Sequence, residues 1–157
     1  MLKRYTFWLW TAVALLFLTG LIHSIGLFIS PVPANDVERQ LLALLMGYKQ
    51  DLGAGFHRTM WDLFRALSSC FTFVCLLGGL TLGYLLREKA DLRILKGVVG
   101  IHLLVFVAIF VVMAVFTFLP PIVLTGLVVL FLTLSFITIS WQSRVQALAC
   151  FRSDDAN

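Results

Sequence analysis

Four apolar stretches dominate this sequence, each at least as long as the ~20 residues that a helix needs to cross the hydrocarbon core of a bilayer. They cover about residues 6–29, 63–86, 94–119 and 122–141. In lipid no water satisfies the backbone, so such a segment must close its hydrogen bonds within itself, as a helix does. The expected fold class is all-α: a membrane-embedded four-helix bundle forming a single domain over residues 1–157. Composition excludes the soluble alternative. The chain is 61% hydrophobic and 13% charged, with mean hydropathy +0.99, where a soluble domain is roughly half apolar and a quarter charged. A soluble core of this length cannot enclose that much apolar surface, so lipid has to cover the rest.

Pro120 and Pro121 come directly after the third stretch. Proline donates no backbone N–H and disfavours helix in the residue before it, so the pair marks a tight hairpin between the third and fourth spans. Lys3 and Arg4 precede the first stretch as they would in a secretory signal. That stretch is too long for a signal's apolar region and no small-x-small cleavage site succeeds it, so it reads as an uncleaved anchor.

The basic residues set the expected direction of insertion. Lys3, Arg4, Arg87, Lys89, Arg93, Lys96, Arg144 and Arg152 fall on one side, and only Arg39, Lys49, Arg58 and Arg65 on the other. Cytoplasmic loops carry the excess of Lys and Arg, which places both termini in the cytoplasm. Trp8, Trp10, Tyr84 and Trp141 then mark the inner interface and Trp61 the outer one. The basic residues form no stripe with interleaved aromatics, so the net charge of +4 does not point to nucleic acid. The run from Arg87 to Lys96 reads as a solvated loop held against anionic headgroups.

The outer loop, about residues 30–62, is the only sizeable segment outside the spans. Asn35 with Glu38 three residues on has the spacing of a helix N-cap and its capping-box partner. Val37, Leu41, Leu44, Leu45 and Tyr48 recur at helical spacing on one face. A short amphipathic helix is expected here, lying on the outer membrane surface or capping the bundle, with Gly53 and Gly55 ending it flexibly. Within the spans, helices associate through small and polar faces. Ala12, Thr19, His23, Gly26 and Ser30 form such a stripe in the first span. Asp62, Arg65, Ser69, Thr72, Gly79 and Gly83 form one in the second, and Gly126, Thr133 and Ser140 one in the fourth.

The chemistry-bearing residues are few. Asp36, Glu38, Asp51, Asp62, Glu88, Asp91, Asp154 and Asp155 all avoid the depth of the spans, and a proton- or sodium-coupled carrier needs a carboxylate there. No phosphate-cradling glycine loop, GxSxG elbow or HExxH motif occurs. Cys70, Cys75 and Cys150 have neither CxxC nor metal-ligand spacing. On a helix Cys70 and Cys75 are about 140° apart, so they read as small buried thiols and no redox pair.

One candidate site remains, at the outer end. If the second helix starts near His57, then Arg58, Asp62, Arg65 and Ser69 share a face, and Asp62 can pair with both arginines. His23 lies in the outer third of the first span, on its small-residue stripe, and can approach that row. An ionisable residue within the membrane is a functional candidate, because a partner must offset its desolvation. His23, His57, Arg58, Asp62, Arg65 and Ser69 therefore form a candidate ligand-binding set for a lipid headgroup or haem. The competing reading is a neutral His23 that bonds a hydroxyl or carbonyl and holds two helices together. His102 lies about 15 Å from His23 along the membrane normal. The two cannot share an ion or ligate one haem; a bis-histidine haem would need His23 with His57, or an intermolecular pair. His102, flanked by Val98, Val105, Phe106 and Ile109, reads as a satisfied packing histidine.

His23, Pro33, Glu38, Leu45–Met46, Gly53, Arg58–Thr59, Asp62 and Ser68 together resemble a family of small, uncharacterised bacterial four-span membrane proteins. The likeness covers about half the chain, the later spans matching only in hydropathy. It implies a bacterial inner-membrane location and carries no established activity, cofactor or catalytic residue. These readings leave two functional expectations. The first is a non-catalytic accessory component that binds lipids, a partner subunit or further copies of itself. The second is a membrane enzyme or lipid- or haem-binding protein whose site is the outer cluster around His23, Arg58, Asp62 and Arg65.

Overall fold

The structure is a computed structural model that describes residues 4–154, with side chains over 4–146. Lys3, Cys150, Arg152, Asp154 and Asp155 lie outside the described side chains. The element order is α1 (Arg4–Phe28), α2 (Asp36–Gly47), β1 (Lys49–Asp51), β2 (His57–Thr59), α3 (Met60–Arg87), α4 (Leu92–Phe116) and α5 (Leu119–Asp154). Four helices, Arg4–Phe28, Met60–Arg87, Leu92–Phe116 and Leu119–Gln146, are long and apolar enough to cross a membrane. The chain is an all-α integral membrane protein by the length and composition of these helices.

The polypeptide divides into two compact units, Met1–Thr19 with Cys75–Asn157, and Gly20–Val74. The first unit is a bundle of four helical segments. Its core is formed by Leu9, Ala12, Val13 and Leu16 of α1, Cys75 and Leu82 of α3, Leu95, Val99 and Phe106 of α4, and Val128, Leu132 and Ile139 of α5. Buried Thr125 and Ser135 complete the α5 seam. The seam's spacing alternates three and four residues, the repeat that keeps one helical face on its partners.

Glycine admits aromatic rings at several points of this bundle. A β-carbon at Gly79 would stand 3.1 Å from the Phe17 ring, one at Gly126 3.1 Å from Phe110, and one at Gly100 3.2 Å from Phe136. The small-residue stripe of the fourth span is therefore a contact surface at Gly126, and that of the second is one at Thr72, Gly79 and Gly83 but not at Asp62 and Arg65, which are exposed. In the first span the stripe holds for Ala12 and Thr19. It fails at Gly26 and Ser30, which are exposed, Gly26 having no atom within 4 Å of where its β-carbon would be.

The helix ends differ from expectation in one respect. Pro120 and Pro121 fall in the first turn of α5 and not between helices. A first turn has no intrahelical acceptor for its N–H groups, so a residue without one loses nothing there. The hairpin itself is carried by Thr117 and Phe118. α3 ends in a Schellman turn, with Ala90 N–H donating to Leu85 O at 3.0 Å and Lys89 N–H to Leu86 O at 3.3 Å. Lys89, at φ 50°, takes the left-handed position that glycine usually fills. The Asp91 carboxylate then caps α4, accepting from Arg93 N–H at 2.7 Å.

The second unit holds the end of α1, the start of α3 and the segment that joins them. α2 forms where expected: Asn35 Oδ1 accepts from Glu38 N–H at 2.9 Å, and Glu38 Oε2 reaches back to Ala34 N–H at 2.7 Å. Beyond α2 the chain forms a hairpin where a flexible end was expected. β1 and β2 pair antiparallel, with Lys49 opposite Thr59 and Asp51 opposite His57. Gly53, Ala54 and Gly55, at φ 83°, 50° and 80°, form the turn. Phe56 N–H closes it onto Gly53 O at 3.0 Å, with Ala54 and Gly55 both left-handed, as type I′ geometry demands.

Candidate functional site

The polar residues of the candidate set lie in the second unit, and each is best understood through the element that holds it. α3 begins at Met60, three residues later than the start near His57 on which the expected polar row depends. His57 and Arg58 belong to β2 instead, while Asp62, Arg65 and Ser69 belong to α3. Arg58 is therefore not part of a helical face with the other three.

Thr59 explains the difference. Its hydroxyl accepts from Asp62 N–H at 3.1 Å, and Asp62 Oδ2 accepts from Thr59 N–H at 3.1 Å and from Thr59 Oγ1 at 2.8 Å. This is a reciprocal capping box, which satisfies two of the N–H groups that a helix start leaves open. Asp62 does not form the expected ion pairs: among the described residues the one salt bridge is Arg39–Asp36, at 3.1 Å. A carboxylate already accepting from Thr59 has less to gain from an exposed guanidinium, whose ion pair is worth little in water.

Both arginines lie on aromatic rings. The Arg58 guanidinium stands 5.9 Å from the Phe56 ring centre and also donates to His57 O at 3.1 Å. The Arg65 guanidinium stands 5.9 Å from the ring of Phe28, at the end of α1. Ser69 donates to Arg65 O at 2.7 Å, one turn back along its own helix.

His23 reaches α3. Its Nε2 lies 3.0 Å from the carbonyl oxygen of Ser68, and its ring stands edge-on to Phe71 with centroids 5.0 Å apart. A carbonyl can only accept, so Nε2 carries the proton. The ring is half-buried. One residue further on, Ser24 Oγ stands 3.3 Å from Thr72 Oγ1 and 2.8 Å from Gly20 O. His23 and Ser24 thus tie α1 to α3 by two adjacent polar contacts. Nε2 thus makes the carbonyl bond expected of a packing histidine, a bond that ligand-binding histidines also make.

In the first unit His102 Nδ1 donates to Val98 O at 2.9 Å, the satisfied packing role expected of it. Thr125, Thr133, Ser135 and Thr138 each donate to a carbonyl four residues earlier. Thr19 Oγ1 and Ser140 Oγ are buried with no hydrogen-bond partner among the described residues. Cys75 is buried as expected, but Cys70 is exposed, its thiol directed to Ala66 O at 3.5 Å. Among the described residues no group of three or more His, Cys, Asp or Glu is placed to hold a metal ion.

Sequence reasoning named Thr59 and Ser68 only within the resemblance, with no role, and missed Phe71. Thr59-x-x-Asp62 is a visible capping signature, whereas the carbonyl of Ser68 carries no side-chain signal at all. No protein-family model matches the chain, and no curated protein or solved structure matches it.

Proposed function

We propose that this chain is a non-catalytic accessory component of a membrane, which binds lipids, a partner subunit or further copies of itself and converts no substrate. One observation carries the reading: His23, the ionisable side chain set deepest in the candidate cluster, is committed to Ser68 O and Phe71. Its neighbours are committed too, Asp62 to the Thr59 cap and Ser69 to its own helix. Polar groups that are satisfied by protein hold helices in place. For His23 the group so satisfied is Nε2.

The proposed location is a bacterial inner membrane, with both termini in the cytoplasm. Exposed Arg87, Lys89 and Arg93 around the α3–α4 turn, together with Arg4 and Arg144, support that direction through the bias of cytoplasmic loops toward basic residues. The resemblance of residues from His23 to Ser68 to small four-span bacterial proteins supports the compartment.

Replacing His23 tests the reading. His23→Ala removes one interhelical hydrogen bond and one ring contact, worth about 1 kcal/mol in a membrane protein. The melting temperature of the detergent-solubilised chain should fall, and His23→Gln, which can still donate, should recover part of the loss. A variant as stable as the parent contradicts the structural role and returns His23 to the ligand-binding set.

A further inference from the structure

The apolar face of α2 is uncovered, and its surroundings indicate what covers it. Val37, Leu41, Leu44 and Tyr48 are spaced by four, three and four residues, which places them within a stripe about 60° wide. Each is more than half exposed. Both ends of the helix are closed within the chain itself. Asn35 and Glu38 close its start, and Tyr48 N–H donates to Leu44 O at 3.0 Å at its end. Leu42 and Leu45, further round, are half-buried, and α2 lies against β2.

We propose that α2 lies along the membrane–water interface of the leaflet next to the α1–α3 connection, with Val37, Leu41, Leu44 and Tyr48 inserted among the lipids. The inference rests on the reading of the chain as a membrane component and names lipid as what this segment binds. Two features favour lipid over protein, and a third sets how the segment is held there.

The first is continuity. Ile25 and Phe28 at the end of α1, a helix of membrane-spanning length, are exposed, and so are Ile29 and Val32 on the way to α2. The connector 29–35 can reach only about 25 Å even if fully extended, so α2 stays close to where α1 leaves the membrane. The second is the chemistry of the unit. Arg65 over exposed Phe28 and Arg58 over exposed Phe56 are cation–aromatic pairs with an apolar body and a charged tip. Tyr48 is amphipathic in the same sense. Such side chains favour the interface, where the ring enters lipid and the charge stays wet. The third is charge. The polar side carries Asp36, Glu38, Arg39 and Gln40, with Arg39 paired to Asp36. It has no excess positive charge to seek anionic headgroups, so insertion depends on the apolar stripe.

Site-directed spin labelling tests this on the full chain, with Cys70, Cys75 and Cys150 replaced by alanine, in phosphatidylcholine vesicles. Labels are placed singly through α2 and at Tyr48, and at Leu67, an exposed residue of α3, as a reference within the span. Labels at Val37, Leu41, Leu44 and Tyr48 should be more accessible to oxygen than to a water-soluble nickel chelate. Labels at Arg39, Gln40 and Ala43 should show the reverse. Added phosphatidylglycerol or high salt should leave the pattern unchanged. Nickel access at every α2 position overturns the inference while the Leu67 label still reports lipid. Stripe positions shielded from both reagents and coupled to a second label overturn it in favour of another copy of the chain. A Leu67 label in water would instead overturn the membrane reading itself.

Discussion

Thr59 and Asp62 stand three residues apart at the start of α3, and that spacing decides what each side chain does. The same carboxylate, read as part of a row with Arg58 and Arg65, offers charge to a ligand; seen with Thr59, it completes a helix end. Loss of the buried Thr59 side chain leaves the Asp62 N–H of the first turn without its hydroxyl acceptor. Thr59→Ala should destabilise the chain by about 1 kcal/mol, the usual worth of an N-cap. Hydrogen exchange at Asp62, whose N–H donates to the Thr59 hydroxyl, checks it; unchanged protection there would show that the cap is not what starts the helix. The sequence carries this signal, a Thr with an acid three residues later. The same aspartate also lies close in sequence to two arginines, so the sequence alone offers it two competing partners. The His23–Ser68 bond lacks any such signal, because its acceptor is a backbone atom that every residue possesses.

At the scale of elements, hydropathy located three long helices and the start of the fourth to within a few residues, since backbone self-satisfaction in lipid leaves little alternative. α5 runs on past the expected end near Trp141 to Asp154, because the helix continues into a polar segment that hydropathy does not mark. α2 was equally readable from Asn35, Glu38 and its apolar periodicity. The β1–β2 hairpin was not. Its strands are three residues long, too short to display alternation, and its turn places Ala54 in the left-handed region beside two glycines. The Schellman turn at Lys89 escaped notice for a similar reason, as no glycine marks it.

Glycine identity within α4 gives a contrast that packing alone controls. Gly97 has nothing within 4 Å of where its β-carbon would be, while at Gly100 the Phe136 ring would lie 3.2 Å away. Gly97→Ala should stabilise the chain by roughly 0.5–1 kcal/mol through helix propensity. At Gly100 the same change meets the ring and should cancel or reverse that gain. Equal melting temperatures for the two variants would contradict the packing of α4 on α5.

At the scale of the whole molecule, the proposal that both termini lie in the cytoplasm rests on an even number of crossings, four helices being long and apolar enough to span a membrane. The proposed direction puts the α3–α4 turn in the cytoplasm and the α2 segment on the opposite face. A membrane-impermeant thiol reagent applied to intact cells should therefore label Gln50→Cys in the β1 strand and spare Glu88→Cys; the opposite pattern would invert the topology. What the chain binds was the least readable property, because partners and lipids meet surfaces that hydropathy describes only as apolar.

Native mass spectrometry of the protein released from its own membrane bears most directly on the claim that the polar cluster serves the fold and not a reaction. The expected spectrum shows the chain bare, or carrying lipids, partner subunits or further copies of itself, and His23→Ala leaves those masses in place. A haem, quinone or metal retained in fixed stoichiometry, and lost from the His23→Ala protein, would contradict it.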